Sequence, residues 1–233
     1  YKPGRPGITP PAPLPERLLA DIVPKSTLLG RLQALFCKRP LACGRHPGEA
    51  SGGHPFGEFM DELLAFDKPL VAAVNGVGVG IGMTFLLHCE FVFIAEGARL
   101  RAPFVQLGVV PELASSYLLP LVVGQRAAAE ILYTADWVDA RKAVEIGLAH
   151  QLCAPEEVLS QAQALAARVA ENAPGSVRHT KRLLLATRDD IVAAARKRED
   201  QAFVVRTGSA ENIEAIKAFF EKRKPDFTGI AQD

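Results

Sequence analysis

The sequence predicts an α/β fold, and three features of the chain indicate it. Residues 69–74 form a short apolar run that contains β-branched side chains and has the length of a buried strand. A glycine-rich turn follows and leads into residues 83–87, which have the composition of a buried helix. A second strand-like run lies at residues 91–95, and helical patterns dominate the chain after residue 155. Strands therefore belong to the middle of the chain, whereas its end is helical.

The remaining elements follow from apolar spacing and from residues that begin or end helices. Gly124 separates two helical patterns, Asp139 is suited to cap the next helix, and Gly147 ends that helix. Pro174-Gly175 should interrupt the helical region near the end of the chain. The pattern predicts a strand at 148–153 and helices at 56–66, 115–123, 125–133, 140–146, 156–171, 176–187, 189–205 and 209–224.

Composition limits the classes of function that the chain can have. The 233 residues are 48% hydrophobic and 23% charged, with a formal net charge of +1, so neither nucleic acid nor a membrane surface is indicated as a partner. Residues 69–87 are apolar enough for a membrane span, but Asn75-Gly76 and the dense glycines divide them into a strand and a helix. The four cysteines and five histidines form no ligand motif, so we expect reduced thiols and no metal site.

The glycine-rich turn at residues 76–82 is the first candidate for chemistry. Backbone N–H groups at such a turn and at a helix start can bind an oxyanion. The spacing of these glycines matches neither the dinucleotide pattern nor the phosphate-loop pattern. Taken alone, they are better explained by close packing of a strand against a helix.

The second candidate is Glu112, a single carboxylate in an apolar loop that contains Val109, Val110, Pro111 and Leu113. Partial desolvation by these neighbours should raise the pKa of Glu112 and make it a stronger base. Taken alone, a Pro-Glu pair is an ordinary feature of a surface loop, and this is the alternative interpretation.

Two sets of short motifs surround these candidates. The first set is Lys68-Pro69, Ala72-Ala73-Val74-Asn75-Gly76, Val79-Gly80-Ile81-Gly82 and Leu107-Gly108. Together these motifs resemble the crotonase (enoyl-CoA hydratase/isomerase) superfamily. The second set is Ala102-Pro103-Phe104, Leu107-Gly108, Pro111-Glu112 and Ser115-Ser116-Tyr117. This set is most similar to the Δ3,Δ2-enoyl-CoA isomerase branch, and the resemblance covers roughly the last three-quarters of the chain.

The resemblance implies a fold and an assembly. Residues 54–170 would form the crotonase-like ββα spiral core, and residues 171–233 would form a C-terminal helical trimerisation region. A homotrimer or a dimer of trimers is therefore expected. The substrate would be an acyl-CoA thioester, so that coenzyme A enters as part of the substrate and no cofactor is bound permanently. The expected location is the bacterial cytoplasm, or a mitochondrion or peroxisome if the source is eukaryotic.

The resemblance also implies roles for individual residues. The N–H of Ile81 would donate to the thioester oxygen, and Glu112 would move a proton from C2 to C4 of a 3-enoyl-CoA. Hydratases of the superfamily need two glutamates, but the aligned positions here hold Thr84 and Phe104, neither of which is an acid or base at neutral pH. Isomerisation to trans-2-enoyl-CoA is therefore predicted. Hydration or another crotonase reaction, and a catalytically silent acyl-CoA-binding protein, are the alternatives.

Residues 218–224 resemble the closing helix of the family. By this resemblance Phe219 and Lys222 would contact the adenine and phosphates of CoA, usually from a neighbouring subunit. An aromatic face beside a cation suits an adenine nucleotide. The apolar spacing of Ile213, Ile216, Phe219 and Phe220 also fits ordinary helix packing, so both interpretations of Phe219 stay open.

Residues 1–53 are an atypical segment that departs from the family pattern. Their prolines predict an extended or partly disordered start without a secretory signal. The family motif Phe-x-Ala/Ser-Gly-x-Asp has only partial matches, at Phe36-Cys37 and at Cys43-Gly44-Arg45, and His46 stands where the aspartate should be. The source of the first oxyanion donor is therefore left open.

Overall fold

The computed structural model describes residues 55–230. The expectations for residues 1–53, including the partial motif at Phe36-Cys37 and Cys43-Gly44-Arg45, lie outside the described residues. The chain divides into two compact units, residues 1–63 and 64–233. Helix α1 (Pro55–Ala65) begins in the first unit, and its Phe59 and Met60 side chains are buried. The functional division of the chain at residues 54 and 171 stays a prediction.

Six strands within residues 55–230 form two small sheets. Their bounds are β1 (Val71–Val74), β2 (Val77–Val79), β3 (Phe91–Ala95), β4 (Arg99–Arg101), β5 (Val138–Asp139) and β6 (Gln151–Cys153). In the first sheet β3 lies between β1 and β6, and all three strands are parallel. In the second sheet β4 pairs in parallel with β2 and antiparallel with β5. The chain alternates between the two sheets from β1 to β4, as a ββα spiral requires.

The helices lie close to their predicted places. After α1 they are α2 (Ile81–Thr84), α3 (Ser115–Val123), α4 (Gln125–Thr134), α5 (Ala140–Glu145), α6 (Val158–Ala170), α7 (Pro174–Ala186), α8 (Asp189–Arg206) and α9 (Ala210–Phe220). The carboxylate of Asp139 caps α5 by accepting the Lys142 N–H at 2.8 Å, as predicted. Between residues 55 and 230, no helix combines the length and apolar character needed to span a lipid bilayer.

One local prediction was wrong and another was displaced by two residues. Residues 77–79, which the glycines suggested to be part of a turn, form strand β2 because Gly78 is closely paired with Leu100 of β4. The predicted interruption of the helical region is confirmed, but it lies just before Pro174, which begins helix α7 two residues earlier than predicted. Proline suits this position because the first residues of a helix need no N–H donor.

The hydrophobic core lies around strands β3 and β4 and helix α3. Its most deeply buried side chains include Ile94, Leu100 and Leu118, none of which is exposed to solvent. A smaller apolar cluster forms on the other side of the first sheet, where Phe93 and Val158 bring α6 against β3. The spiral thus gives a rigid base for the loops that follow β2 and β4.

Helix α7 is attached to the first sheet through a buried cation. The ammonium group of Lys181 donates to the carbonyl oxygen of Lys68 at 2.7 Å and pairs with the Glu90 carboxylate at 3.1 Å. The same carboxylate accepts the N–H of Leu70 at 2.7 Å. Because both charged groups have partners, the burial of Lys181 leaves no uncompensated charge.

The glycines of the turn serve two different purposes. A Cβ at Gly78 would lie 2.7 Å from Leu100 Cδ2 and 2.9 Å from the carbonyl oxygen of Gly82. Gly80 instead has a φ of 57° with nothing near the position of its Cβ. Close packing therefore explains Gly78, as the alternative proposed, whereas Gly80 is required by backbone conformation.

We predict that Gly78→Ala lowers the free energy of unfolding by about 1–3 kcal/mol. The added methyl would meet a backbone carbonyl that cannot turn away as a side chain could. Urea unfolding of the variant and the wild type measures the difference.

Gly76→Ala is the matched control, because a Cβ at Gly76 meets nothing within 4 Å. Its free energy of unfolding should stay within about 0.5 kcal/mol of the wild-type value. Equal stabilities of the two variants would contradict the close-packing explanation of Gly78.

Candidate active site

The turn between β2 and α2 presents a backbone N–H group at a helix start. Gly80 adopts a φ of 57° and a ψ of −119°, and its N–H donates to the carbonyl oxygen of Arg101 at 2.9 Å. Its own carbonyl oxygen accepts the N–H groups of Met83 at 2.8 Å and Thr84 at 3.0 Å. The N–H of Ile81, which opens α2, has no acceptor within residues 55–230. This donor is therefore available to a ligand oxygen.

The loop that carries Glu112 has a strained backbone. Leu113 and Ala114, the two residues that follow Glu112, have φ values of 63° and 55°. Side chains other than glycine rarely adopt this left-handed conformation, which costs on the order of 1 kcal/mol for each residue. The side chains of Leu113 and Ala114 are buried. These two left-handed residues lie between Glu112 and the first turn of α3, so their conformation fixes the position of the Glu112 carboxylate relative to that helix.

Two buried side chains hold this backbone in place. His88, which ends the 3-10 turn after α2, contacts the carbonyl oxygen of Leu113 through Nε2 at 2.9 Å. Because a carbonyl only accepts, Nε2 must carry the proton. Burial is the main cause that lowers the pKa of His88, to about 4, so the ring is neutral at physiological pH. Glu199 of α8 accepts the N–H groups of Ala114 and Ser116, each at 2.7 Å.

The beginning of α3 also holds the main chain of Glu112 itself. Ser115 is fully buried, and both its N–H and its hydroxyl group donate to the carbonyl oxygen of Glu112, at 3.0 and 2.5 Å. The carbonyl of Glu112 is thereby fixed, while its carboxylate is the part of the residue left for chemistry.

The other end of the loop is held by helix α9. Gly108 has a φ of 67°, and a Cβ there would lie 2.7 Å from the backbone nitrogen of Asn212. The Asn212 side chain donates to the carbonyl oxygen of Leu107 at 2.6 Å. Residues 108–114 are thus held at one end by α9 and at the other by α8.

The surroundings of Glu112 change its acidity. Its side chain is half-buried between apolar neighbours, and this desolvation is the larger cause that raises its pKa, to about 7. The negative charge of Glu199 raises it further. A carboxylate with a pKa near neutrality is a much stronger base than an exposed one, as the apolar loop predicts.

The two positions where hydratases carry glutamates are closed to acid–base chemistry. Thr84 is 2% exposed, and its hydroxyl donates to the carbonyl oxygen of Gly80 at 3.3 Å. Phe104 is 5% exposed and belongs to the hydrophobic core. Both side chains therefore support the turn and the core, and neither supplies an acid or a base.

The structure joins the two segments that carry Ile81 and Glu112. Helix α2 and the following 3-10 turn run from Ile81 to His88, and His88 is bonded to the residue after Glu112. No sequence motif indicates that His88, Glu199 or Asn212 belongs to this arrangement. A lone histidine, a helical glutamate and a helical asparagine carry no local signal of a contact with a distant loop. Within residues 55–230, no group of side chains is arranged to hold a metal ion.

Phe219 and Lys222 lie at the end of α9, away from the buried face of that helix. Phe219 is 70% exposed, its ring centroid is 5.7 Å from that of Phe220, and Lys222 has a φ of 55° just beyond the helix. The inward face is instead formed by Asn212, Ala215 and Ala218. Ordinary packing within the described part of the chain therefore does not explain Phe219.

Several known proteins are similar to this chain in fold and in sequence. The crystal structure of an enoyl-CoA hydratase/isomerase from Pseudoalteromonas atlantica T6c is 40% identical, with a TM-score of 0.75 over 78% of this chain and 73% of that one. The structure of Pseudomonas aeruginosa OdaA is 39% identical, with a TM-score of 0.68 over 81% of this chain and 73% of that one.

A crotonyl-CoA hydratase from Syntrophomonas wolfei is 34% identical over 165 residues, which are 71% of this chain and 64% of that protein. The chain spans about two thirds of the length of the curated relatives that it matches. The sequence model of the family described as "Enoyl-CoA hydratase/isomerase" matches residues 43–230. With the alternating strands of the two sheets and the helical C-terminal region, this match confirms the crotonase-like fold, and the chain belongs to the enoyl-CoA hydratase/isomerase family.

Proposed function

We propose that the protein isomerises 3-enoyl-CoA thioesters to trans-2-enoyl-CoA thioesters. The observation that carries the proposal is the raised pKa of Glu112, a single carboxylate on a strained loop joined by His88 to the helix that Ile81 opens. One base and one oxyanion donor are the parts that this reaction needs from the described residues.

The reaction is a proton transfer without loss of atoms. The Glu112 carboxylate removes a proton from C2, and the electrons of that C–H bond extend the conjugation to give a dienolate. The N–H of Ile81 stabilises the negative charge on the thioester oxygen, an effect worth about 10²–10³ in rate for one such donor. The same carboxyl group then returns the proton at C4, and the double bond moves to C2–C3. Because the acid formed in the first step is the donor in the last, one carboxylate suffices.

Hydration of 2-enoyl-CoA is the second candidate. It is favoured by the names of relatives, such as the crotonyl-CoA hydratase of Syntrophomonas wolfei and the 2,3-dehydroadipyl-CoA hydratase of Escherichia coli. The buried Thr84 and Phe104 argue against it, because water addition by two glutamates has no base or acid at these positions. An acyl-CoA-binding protein without turnover is the third candidate.

We also propose that the acyl-CoA is bound with the help of Phe219 and Lys222, and that the active assembly is a trimer or a dimer of trimers. The exposure of the Phe219 ring supports this, because an aromatic face left outside the chain's own core is available to an adenine or to another subunit.

We expect Glu112→Gln to abolish isomerisation of 3-enoyl-CoA while leaving CoA binding intact. The amide has nearly the same size as the carboxylate but cannot accept a proton at neutral pH. Product formation is followed by chromatography of the thioesters, and binding is followed by calorimetry. Trans-2-enoyl-CoA and water are supplied in a parallel assay to detect hydration.

Glu156→Gln is the matched control, because Glu156 also follows a proline but is exposed. Its turnover should equal that of the wild type. Hydration of the 2-enoyl thioester by the wild type, or isomerisation that survives in Glu112→Gln, would reject the isomerase mechanism. Binding without any turnover would support the silent alternative.

The pH dependence of kcat/KM should follow the ionisation of Glu112. The base must be ionised, so the rate should rise about tenfold for each pH unit below the apparent pKa near 7 and level off above it. A rate that is already level at pH 5 would show that the reacting carboxylate has an ordinary pKa.

Glu112→Gln should also stabilise the protein at alkaline pH. A carboxyl group whose folded pKa lies above its unfolded pKa favours the folded state only while it is protonated. That contribution is lost as the pH rises from about 4.5 to about 7. Allowing for solvent screening of this half-buried group, we expect a gain of roughly 1–2 kcal/mol at pH 8 and a smaller gain at pH 5. Thermal unfolding at both pH values measures it, and equal gains would contradict the shifted pKa.

The proposed role of Lys222 predicts a defect that depends on the nucleotide part of the substrate. Lys222→Asn removes the charge but tolerates the positive φ, so KM for a 3-enoyl-CoA should rise several-fold at unchanged kcat. A 3-enoyl-pantetheine thioester, which lacks the adenine nucleotide, should be used equally well by variant and wild type. Lys224→Asn, an exposed lysine two residues further on, is the control, and an equal rise of KM in both variants would contradict a specific contact.

A further inference from the structure

We propose that Glu199 is the positioning residue of the active site, holding the Glu112 loop in its reactive conformation through two backbone amides. The inference rests on the proposed function, because it concerns the same carboxylate. Glu199 lies on α8, 87 positions after Glu112. It acts through Ala114 and Ser116 and does not itself need to touch the substrate.

The geometry uses both oxygens of the Glu199 carboxylate. Oε2 accepts the N–H of Ala114 and Oε1 accepts the N–H of Ser116, each at 2.7 Å. These short distances are typical of hydrogen bonds to an ionised acceptor. The bonded amides lie on either side of the point where α3 begins, so the negative charge also meets the positive end of that helix. Glu199 thus caps a helix that belongs to a distant part of the chain.

One of the two amides, that of Ala114, belongs to the strained part of the backbone, and the other, that of Ser116, lies in the first turn of α3. Ala114 has a φ of 55° and directly follows Leu113, which has a φ of 63°. Without an acceptor at Ala114, the loop could relax to an ordinary conformation and carry the Glu112 carboxylate with it. A displacement of about 1 Å of a reacting group costs on the order of 10²-fold in rate. The bond from Glu199 therefore matters to the chemistry as well as to the fold.

The placement of a buried anion here has a further effect on Glu112. Glu199 is 6% exposed, and burial raises its pKa. Within residues 55–230 the hydrogen bonds that favour its ionised form come from the N–H groups of Ala114 and Ser116 and from the Ser116 hydroxyl group, rather than from a lysine or arginine. Its charge therefore raises the pKa of Glu112 in addition to the effect of burial. His88, the other side chain that holds the loop, is neutral above its lowered pKa of about 4. The loop that carries Glu112 is accordingly held by one anionic side chain, Glu199, and by one neutral side chain, His88.

The two possible roles of Glu199, as a purely structural helix cap or as a positioning residue, predict different results. If Glu199 only stabilises α3, its replacement should lower the melting temperature and leave the kinetic constants of the folded fraction unchanged. If it positions the loop, its replacement should lower kcat at a nearly constant KM and move the acid limb of the pH–rate profile to lower pH. The limb should move because the variant loses the negative charge that opposes ionisation of Glu112.

The test is Glu199→Gln, with Asp200→Asn as the control. Glutamine keeps the size of the side chain but places an NH₂ group against one of the two amides. Asp200 is the exposed neighbour of Glu199 on the same helix, so its replacement makes the same change of charge outside the site. We expect kcat for 3-enoyl-CoA to fall about 10- to 100-fold in Glu199→Gln, with KM changed by less than about twofold. Asp200→Asn should behave as the wild type.

A second variant separates geometry from charge and covers poor folding of the first. Glu199→Asp keeps the charge, but its side chain is one methylene shorter and cannot reach both amides. Its kcat should fall, but the acid limb of its pH–rate profile should move less than that of Glu199→Gln. Unchanged kcat and an unchanged pH profile in a folded variant would overturn the proposal, as would a fall in kcat accompanied by an equal loss of CoA binding.

Titration of ¹³C-labelled glutamate carboxyl groups by NMR gives a readout that needs no turnover. The resonance absent from Glu112→Gln identifies Glu112, and its pKa should be lower in Glu199→Gln than in the wild type. An inactive wild type in which this shift occurs would reject the isomerase function but show that the charge of Glu199 acts on Glu112, which is the electrostatic part of the proposal. An active wild type, with neither the pKa shift nor a loss of kcat in Glu199→Gln, would support the isomerase function and reject the positioning role.

Discussion

Two consecutive left-handed residues, Leu113 and Ala114, are the constraint on which the candidate site depends. Their conformation is unfavourable for residues with side chains, so it persists only because other groups hold it. His88 donates to the carbonyl oxygen of Leu113, and Glu199 accepts the N–H groups of Ala114 and Ser116. The contacts that hold this strained backbone therefore connect the 3-10 turn after α2, the loop and helix α8. A loop with relaxed backbone angles would not need such partners and would not fix its carboxylate.

The same site trades stability for basicity. Glu112 lies where its charged form is poorly solvated, and the charge that acts on it is the negative charge of Glu199. Both effects make the ionised group less stable and therefore more willing to take a proton. A surface glutamate would cost the fold nothing, but it would be too weak a base for a proton next to a thioester. The destabilising environment is consistent with a catalytic use of this carboxylate.

Membership of the family and the type of reaction depend on different parts of the chain. The ββα spiral and the N–H donor at the start of α2 suit any reaction that passes through a thioester enolate. The choice between moving a proton and adding water depends on which side chains reach the substrate. At the two positions where hydratases of the family carry glutamates, the chain has the buried Thr84 and Phe104, and Glu112 is the carboxylate that we propose to act. Relatives with hydratase names therefore share the framework, and they need not share the reaction.

The sequence by itself determined most of the local structure and the two candidate residues. Apolar runs, glycines and caps predicted β1, β3 and the helices from α3 to α9, and the motifs around Ile81 and Glu112 indicated the family. These elements were predictable because helix and strand preferences depend on neighbouring residues in the chain. The short strand β2 was missed because it depends on its pairing with β4. Only the tertiary structure decided that His88, Glu199 and Asn212 hold the loop. These are contacts between residues 25, 85 and 105 positions apart in sequence, and no local preference can specify such contacts because folding alone brings the groups together.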